Sequence, residues 1–368
     1  MSRDTIRLPH DAYRLLQTLR TAGHSAYVVG GCVRDSLLGR LPGDWDICTS
    51  ARPDEMKALF CSQRLILTGE KHGTVAVVLH GKPYEMTTYR LDGDYHDHRH
   101  PDAVQFVDDL PRDLARRDFT INALAVRLDS TPFGQLVDFF GGQRDIKERV
   151  IRVLHTLSFV EDTTRCLRAV RFEQRYKFRI GPGAEKLIKN ALSLKLMGRL
   201  SGARLFNEYQ HICDEEDPPA CFFRLDELGI LQAIAPQLGL TPNRRNLLHR
   251  LKEMLTWYRL LYFDETAQAW LVYFLGLNLN MNYADTAAHY MRLGLPQVKK
   301  AEILGQREQM RAVRGKLEAW QRQDDMGTAK VSALCALLRP IALECLLYIM
   351  ASTDNPGLQK NLSRYITQ

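Results

Sequence analysis

Two short stretches near the N-terminus combine residue types suited to binding a nucleoside triphosphate. Gly30 and Gly31 follow an apolar run, and Asp44 and Asp46 stand two residues apart a little further along the chain. Adjacent glycines let backbone N–H groups approach a phosphate that a Cβ would keep away. Two carboxylates on one side of a strand can hold Mg²⁺. Singly, these patterns fit an ordinary turn and a solvated strand end, so the predicted phosphate and metal site depends on their combination.

A third carboxylate fits the same site. Glu85 alternates with Tyr84 and Met86 in a predicted strand, so its side chain can point the same way as the two aspartates. Phosphoryl transfer assisted by two metal ions needs acidic side chains that converge on the metal pair. On spacing alone, a glutamate on a strand surface is an equally good interpretation.

A later segment of the chain contains four residues that suit the triphosphate and the sugar of a nucleotide. Arg116 and Arg117 offer forked donors for phosphate oxygens. Asp118 and Asn122 are four residues apart, so on a helix they would share a face. A carboxylate beside an amide can bind the hydroxyls of a ribose, which both donate and accept hydrogen bonds. Alternatively, Asp118 caps a helix.

A predicted helix over 159–175 carries a carboxylate and a guanidinium as neighbours, Asp162 and Arg165, with Glu161 able to steady the guanidinium. Cytosine and adenine each present an amino donor next to a ring-nitrogen acceptor, which this pair can match. Uracil and guanine present the opposite order. The pair could therefore select CTP and ATP without a nucleic-acid template. The alternative is a salt bridge on a solvated helix face.

Basic residues are concentrated in the same part of the chain. Residues 161–209 contain eleven Lys and Arg against five Asp and Glu. This excess of 11 − 5 = 6 positive charges is nearly all of the formal net charge of +7. A concentrated basic surface attracts polyanions, although a solvated helix face has the same composition. The arginines after Arg165 follow at helical spacing and form one predicted stripe, namely Arg168, Arg171, Arg175 and Arg179.

Together, these patterns resemble the class II tRNA nucleotidyltransferases and bacterial poly(A) polymerases, a branch of the nucleotidyltransferase superfamily typified by DNA polymerase β. The resemblance is carried by four motifs: GGxVRDxLLG over 30–39, ExxTxR over 85–90, RRDFTxNA over 116–123 and EDxxR over 161–165.

This resemblance implies roles for particular residues. Asp44, Asp46 and Glu85 would be the catalytic carboxylates and hold two Mg²⁺ ions. A flexible loop would surround Asp97, Arg99 and Pro101. RNA would contact Arg171, Arg175 and Arg204. The nucleotide-binding residues would be Gly30, Gly31, Arg34, Arg116, Arg117, Asp118, Asn122, Asp162, Arg165 and Arg168.

The elements that must position these residues form an α/β domain followed by helices. Residues 27–29 predict a strand that turns at the glycines into a helix, and a second strand carries the two aspartates. Residues 75–79 and 84–89 predict a hairpin. The resemblance implies a polymerase β-like mixed sheet with helices in an N-terminal nucleotidyltransferase head (1–145). An all-α neck for base recognition (146–210) and an all-α body and tail for tRNA (211–368) would follow.

Composition narrows the class of protein. At 368 residues the chain can bury a large core in two or three packed units. The 45% hydrophobic and 25% charged fractions are typical of a soluble globular protein. The sequence has neither an apolar run of about 18 residues nor a signal-peptide pattern, so we expect a cytoplasmic protein without a membrane partner. Eight cysteines without Cys-x-x-Cys spacing predict reduced thiols.

The resemblance implies template-independent transfer of AMP, and in the full reaction also CMP, from ATP or CTP to the 3′ end of tRNA, with release of pyrophosphate. Residues 157–162 and 171–175 are more similar to A-adding members, which complete tRNA ending in CC, than to enzymes that add all of CCA. An intact loop around Arg99 argues against a CC-only enzyme.

The alternatives are a full CCA-adding enzyme, a bacterial poly(A) polymerase and a non-catalytic RNA-binding protein. The three carboxylates argue against the last, because clustered negative charge does not help a protein to bind RNA. The sequence indicates no protein partner.

Overall fold

A mixed sheet of eight strands forms the centre of the N-terminal part of the chain. The computed structural model describes residues 5–92, 104–128, 133–322 and 331–367. Contacts divide the chain into two compact units. The sheet unit comprises Met1–Arg165 and Tyr176–Ile188, and the helical unit comprises Cys166–Arg175 and Lys189–Gln368. The predicted three-part division, with limits after 145 and 210, stays a prediction.

The described strands all lie in the sheet unit. They are β1 (Thr5–Arg7), β2 (Ala26–Val29), β3 (Ile47–Thr49), β4 (Arg64–Ile66), β5 (Thr74–Leu79), β6 (Lys82–Thr88), β7 (Arg90–Asp92), β8 (Val104–Phe106), β9 (Leu124–Leu128), β10 (Phe133–Asp138), β11 (Val150–Ile151) and β12 (Arg179–Ile180). The large sheet has the order β1-β10-β9-β2-β3-β6-β5-β4, while β7 pairs with β8 and β11 with β12. Within the large sheet only β3 and β6 run parallel.

Helices precede, cover and follow the sheet. They are α1 (His10–Thr21), α2 (Gly31–Leu37), α3 (Pro53–Leu59), α4 (Leu110–Ala115), α5 (Gly142–Glu148), α6 (Ser158–Glu161), α7 (Thr164–Tyr176), α8 (Pro182–Ser193), α9 (Gly202–Cys213), α10 (Pro218–Glu227), α11 (Ile230–Ile234), α12 (Pro242–Arg259), α13 (Ala269–Leu277), α14 (Tyr283–Arg292), α15 (Gln297–Arg322), α16 (Val331–Leu338), α17 (Leu343–Ser352) and α18 (Pro356–Thr367).

Alternation along the central strands builds two cores, one on each face of the sheet. Val28 and Ile47 belong to the core that α1, α2 and α3 cover, whereas their neighbours Val29 and Cys48 belong to the core that α4 covers. This follows from the period of two in a strand, and both faces of β2 and β3 are buried. The strands that lead into the predicted site are therefore fixed from both sides.

The predicted hairpin is confirmed. Strands β5 and β6 pair antiparallel and are joined by His80 and Gly81, which have φ angles of 49° and 78°. Two consecutive residues with positive φ are the signature of a type I′ turn, whose twist matches that of the flanking strands. The turn fixes the register of β6 and thereby the position of Glu85.

The predicted fold class, a mixed α/β sheet followed by helices, is confirmed. The segment predicted as a purely helical neck differs in one detail, because β11 and β12 pair in parallel within it. In the helical unit, α13 and α17 are buried almost all round, as expected of helices at the centre of a helical core. Among the described helices, none has the length and hydrophobicity needed to cross a bilayer.

Candidate active site

Strand register brings the glycine turn and the acidic residues together. The N–H of Val29, at the end of β2, donates to the carbonyl of Asp46 at 2.9 Å. Ile47 pairs in parallel with Met86, so the residues that precede them, Asp46 and Glu85, lie side by side. Asp44 and Asp46 were predicted within a strand, but they precede β3 in an extended segment outside it. The residues predicted to hold metal therefore lie near one another at the edge where β3 begins.

The charges at this edge act on one another. The pKa of the Asp46 carboxyl is raised to about 6, chiefly by burial and also by the negative charges of Asp44 and Glu85, against the positive charge of Arg117, which lowers it. Carboxylates placed near one another create a negative potential that a cation would relieve. Among the described residues, no group of three His, Cys, Asp or Glu side chains is arranged so that it could hold a metal ion by itself. Mg²⁺ needs only one or two protein carboxylates when water and phosphate complete its shell, so the donor set fits.

Gly30 is the position where the turn requires glycine. It has a φ of +82°, and a Cβ there would lie 2.8 Å from Nη1 of Arg117. The following residue, Gly31, begins α2. The absence of a side chain therefore lets the guanidinium of Arg117 lie against the turn, which places a positive charge where the sequence predicts a phosphate.

A buried carboxylate that sequence reasoning missed holds both predicted triphosphate ligands. Asp113 is fully buried in α4, and its Oδ1 accepts from Nε and Nη2 of Arg116 at 3.0 and 2.9 Å. Its Oδ2 lies 3.5 Å from Nη2 of Arg117. The spacing of three and four residues from the arginines was the available signal. Asp113 fixes the direction of two long side chains and so reduces the entropy lost on binding phosphate.

Asp118 and Asn122 meet, although not on a helix face as predicted. The chain turns after α4, and Asn122 lies in a 3₁₀ turn, Thr120–Asn122. Nδ2 of Asn122 donates to Oδ1 of Asp118 at 2.8 Å, and the backbone N–H of Phe119 donates to the same oxygen at 2.8 Å. Arg34 donates from Nη1 to Oδ1 of Asn122. Arg34 is buried, and through Asn122 it contacts one member of the predicted sugar-binding pair.

The single continuous helix that was predicted to carry Asp162 and Arg165 is wrong, because the structure has two helices with Asp162 between them. Helix α6 ends at Glu161, Asp162 is extended (φ −137°, ψ 99°) and α7 begins at Thr164. Oδ1 of Asp162 accepts from the backbone N–H of Thr164 at 2.9 Å, as a helix cap does. The guanidinium of Arg165 is buried.

Three contacts orient the Arg165 guanidinium. Nη1 donates to Oγ of Ser158 at 2.8 Å, and Nη2 donates to the carbonyl of Arg116 at 2.7 Å. Nη1 also lies 4.0 Å from a carboxylate oxygen of Glu161, the residue predicted to steady it. Ser158 was missed in the sequence. The contact with Arg116 joins the predicted base-reading arginine to the predicted triphosphate arginines within the sheet unit.

The predicted arginine stripe is wrong in two respects. Arg179 lies in β12 rather than on the helix. Arg171 is buried, and its guanidinium lies 3.7 Å from Glu208 and 3.8 Å from Glu215. A guanidinium held between buried carboxylates serves packing, so Arg171 is not retained as an RNA contact.

Three further arginines that were predicted to bind RNA or nucleotide, Arg168, Arg175 and Arg204, also lie in the helical unit. Nε of Arg175 donates to Glu215 at 2.8 Å, and Arg168 lies 3.6 Å from Glu208. Arg204 is half-buried in α9. RNA binding by Arg175 and Arg204, and nucleotide binding by Arg168, stay predictions.

The predicted flexible loop, with Asp97, Arg99 and Pro101, lies outside the described residues. All eight cysteines are free thiols, as predicted, and six of them are buried.

A mixed sheet with carboxylates at the start of β3, a glycine turn and a paired-arginine segment define the class of the protein as a nucleotidyltransferase head with helical additions. A model of the poly(A) polymerase head domain matches residues 26–152. Residues 26–152 therefore belong to the poly(A) polymerase head family, as the motifs within them indicate.

Similarity to known proteins extends beyond the head. An A-adding tRNA nucleotidyltransferase of Geobacter sulfurreducens is 37% identical over 374 residues, which cover 98% of this chain and 41% of that protein. A CCA-adding enzyme of Geobacillus stearothermophilus is 43% identical over 205 residues, covering 55% of this chain and 48% of that protein. A solved CCA-adding enzyme in complex with ATP has a TM-score of 0.81 at 28% identity, covering 97% of this chain and 81% of that one. The chain spans about half the length of the curated relatives it matches.

Proposed function

We propose that this chain is a template-independent tRNA nucleotidyltransferase that adds AMP from ATP to tRNA ending in CC and releases pyrophosphate. The observation that carries the proposal is 37% identity to an A-adding enzyme along 98% of the chain. The motifs that resemble A-adding members, 157–162 and 171–175, lie within this length. Because this reaction matures tRNA, we place the protein in the cytoplasm.

The roles in the reaction follow from the geometry of the sheet unit. Asp44 and Asp46, with Glu85 beside them, would hold two Mg²⁺ ions, which activate the attacking 3′ hydroxyl and neutralise the triphosphate. Arg116 and Arg117, both oriented by Asp113, bind triphosphate oxygens. Positioning of this kind and electrostatic stabilisation supply most of the catalysis in phosphoryl transfer.

The remaining side chains select the nucleotide. Asp118 and Asn122 bind the ribose, and Asp162 and Arg165 read the edge of the base. Arg165 is fixed by Ser158 and by the carbonyl of Arg116, so its donors keep one direction. A fixed donor beside a carboxylate acceptor matches adenine and cytosine and disfavours guanine and uracil. The same two side chains can read either permitted base, so they leave open which of the two is added.

The deciding experiment offers the purified protein two tRNAs, one lacking CCA and one ending in CC, with ATP or CTP alone. We expect efficient ATP addition to the CC-ended tRNA and no CTP addition to the tRNA lacking CCA. Efficient CTP addition would make the chain a full CCA-adding enzyme, the second candidate, which the CCA-adding relative favours. A long product ladder with ATP would indicate a poly(A) polymerase, and tRNA binding without any incorporation would indicate a non-catalytic protein.

A further inference from the structure

The orientation of the Asn122 amide is fixed at both ends. A guanidinium has donors and no acceptor, so the Arg34 donor must face the oxygen of Asn122. The amide nitrogen then faces the carboxylate of Asp118, 2.8 Å away, which accepts the hydrogen bond. Flipping the amide would set donor against donor at Arg34 and acceptor against acceptor at Asp118. Arg34 and Asn122 are both buried, which makes such a mismatch costly.

Arg34 is itself held firmly within the sheet unit. Its Nε and Nη2 donate to the two oxygens of Asp35 at 2.9 and 3.0 Å, a bidentate pair. The hydroxyl of Tyr176 donates to Oδ1 of Asp35 at 3.1 Å, and the ring centroid of Tyr176 lies 4.6 Å from the Arg34 guanidinium carbon. Arg34 thus has a defined direction before it meets Asn122. Three elements, α2, the 3₁₀ turn and the end of α7, contribute to this arrangement.

The fixed orientation of the Asn122 amide determines which hydrogen bond it can make with a bound sugar. An amide nitrogen has two hydrogens, and Asp118 accepts one of them from Asn122. The second hydrogen has no acceptor among the described residues, whereas the amide oxygen is already engaged by Arg34. Asn122 therefore offers a sugar hydroxyl one N–H donor whose direction is fixed by its two partners. A site built to hydrogen-bond a hydroxyl discriminates strongly against the analogue that lacks it.

Resting on the proposed function, we propose that Arg34 is a positioning residue that locks the donor side of Asn122 toward the sugar and so sets the preference for ribonucleotides over deoxyribonucleotides. The sequence assigns Arg34 to the nucleotide itself. The geometry gives Arg34 an indirect role, because its guanidinium is hydrogen-bonded to Asp35 and Asn122.

The test measures kcat/KM for ATP and for dATP on CC-ended tRNA. Wild type should prefer ATP, and Arg34→Met and Asn122→Ala should each lower the ATP/dATP ratio by roughly tenfold, since each removes the oriented donor. The double variant should have the ratio of Asn122→Ala alone, because Arg34 then has no amide to orient. Arg34→Lys keeps a donor and should restore part of the ratio.

A matched control is Arg40→Met, since the Arg40 guanidinium carbon lies 5.0 Å from the centroid of the same Tyr176 ring. Its ATP/dATP ratio should equal that of wild type. If Arg34→Met does not fold, Arg34→Gln tests the same point, because its amide is shorter than the guanidinium and cannot hold both Asp35 and Asn122. Its ratio should collapse as well.

Three results would overturn the inference. Arg34→Met could lower kcat/KM for ATP and dATP equally, which would mean a structural role, or the double variant could multiply the two single losses, which would mean independent roles. Wild type that incorporates ATP without preference over dATP would refute the inference alone. Wild type that incorporates neither nucleotide into any tRNA would instead refute the proposed function.

Discussion

Three carboxylates of the sheet unit, Asp44, Asp46 and Glu85, lie near one another where β3 begins, whereas buried carboxylates of the helical unit are paired with arginines. Asp44 and Glu85 raise the pKa of Asp46 beyond the effect of its burial. Glu208 and Glu215, by contrast, contact arginines of α7 at 3.8 Å or less. Like charges left together destabilise a fold, so their presence indicates a site for a cation. Opposite charges buried together need no ligand, and they indicate a structural network.

The comparison predicts the largest effect for Asp46→Asn. Incorporation should fall by roughly a thousandfold, because a metal-binding carboxylate is lost. The Tm should stay the same or rise, because the amide removes a charge that its neighbours oppose. Single-nucleotide incorporation, tRNA gel shift and thermal unfolding measure these quantities, and tRNA binding should persist.

The exposed Asp54 in the same unit provides the control, since Asp54→Asn should change neither incorporation nor Tm. Asp44→Ala should behave like Asp46→Asn. Near wild-type incorporation in either the Asp44 or the Asp46 variant would remove the metal assignment, and a large fall in Tm would show that the carboxylates stabilise the fold.

Glu208→Ala should have the opposite signature. Removing one partner of a buried ion pair leaves a buried charge uncompensated, so the free energy of unfolding should fall by about 3 kcal/mol or more. The control is Glu227→Ala, whose carboxylate is exposed and lies 3.3 Å from Arg224. A surface pair of this kind contributes about 1 kcal/mol at most. Urea unfolding measures both.

At a temperature where Glu208→Ala remains folded, incorporation should stay within about threefold of wild type, since a structural network leaves the chemistry of the sheet unit intact. A thousandfold loss of incorporation with unchanged stability would contradict the distinction between the two regions.

The same contrast explains how much the sequence could predict. The glycine turn, the hairpin before Glu85 and the acidic pair depend on neighbours within a few residues, and local spacing found them. The partners of Arg171 are Glu208 on α9 and Glu215 just after it, 37 and 44 residues away, and no local pattern reports which carboxylates will neutralise a basic stripe. Charge counted along the sequence therefore overestimated the surface available to RNA.

Asp113 and the break at Asp162 are different cases, because the sequence did contain a signal. Asp113 precedes Arg116 and Arg117 by three and four residues, the spacing of helical ion pairs. Asp162 precedes two β-branched threonines, a common start of a helix, yet the long arginine periodicity favoured a single helix. We gave the periodic pattern more weight than the capping signal. In the structure the helix is interrupted, and Asp162 caps α7.

The smallest predicted effect separates the two roles of Asp162, as cap of α7 and as reader of the base. Asparagine caps helices as well as aspartate does, so Asp162→Asn should keep the Tm, whereas Asp162→Ala should lower it through loss of the cap. The new amide can donate to the carbonyl edge of uracil or guanine, where the carboxylate could only accept. Asp162→Asn should therefore raise incorporation of UTP and GTP relative to ATP by roughly tenfold. Incorporation with each of the four triphosphates measures the change, and unchanged selectivity in Asp162→Asn would make the side chain a helix cap alone.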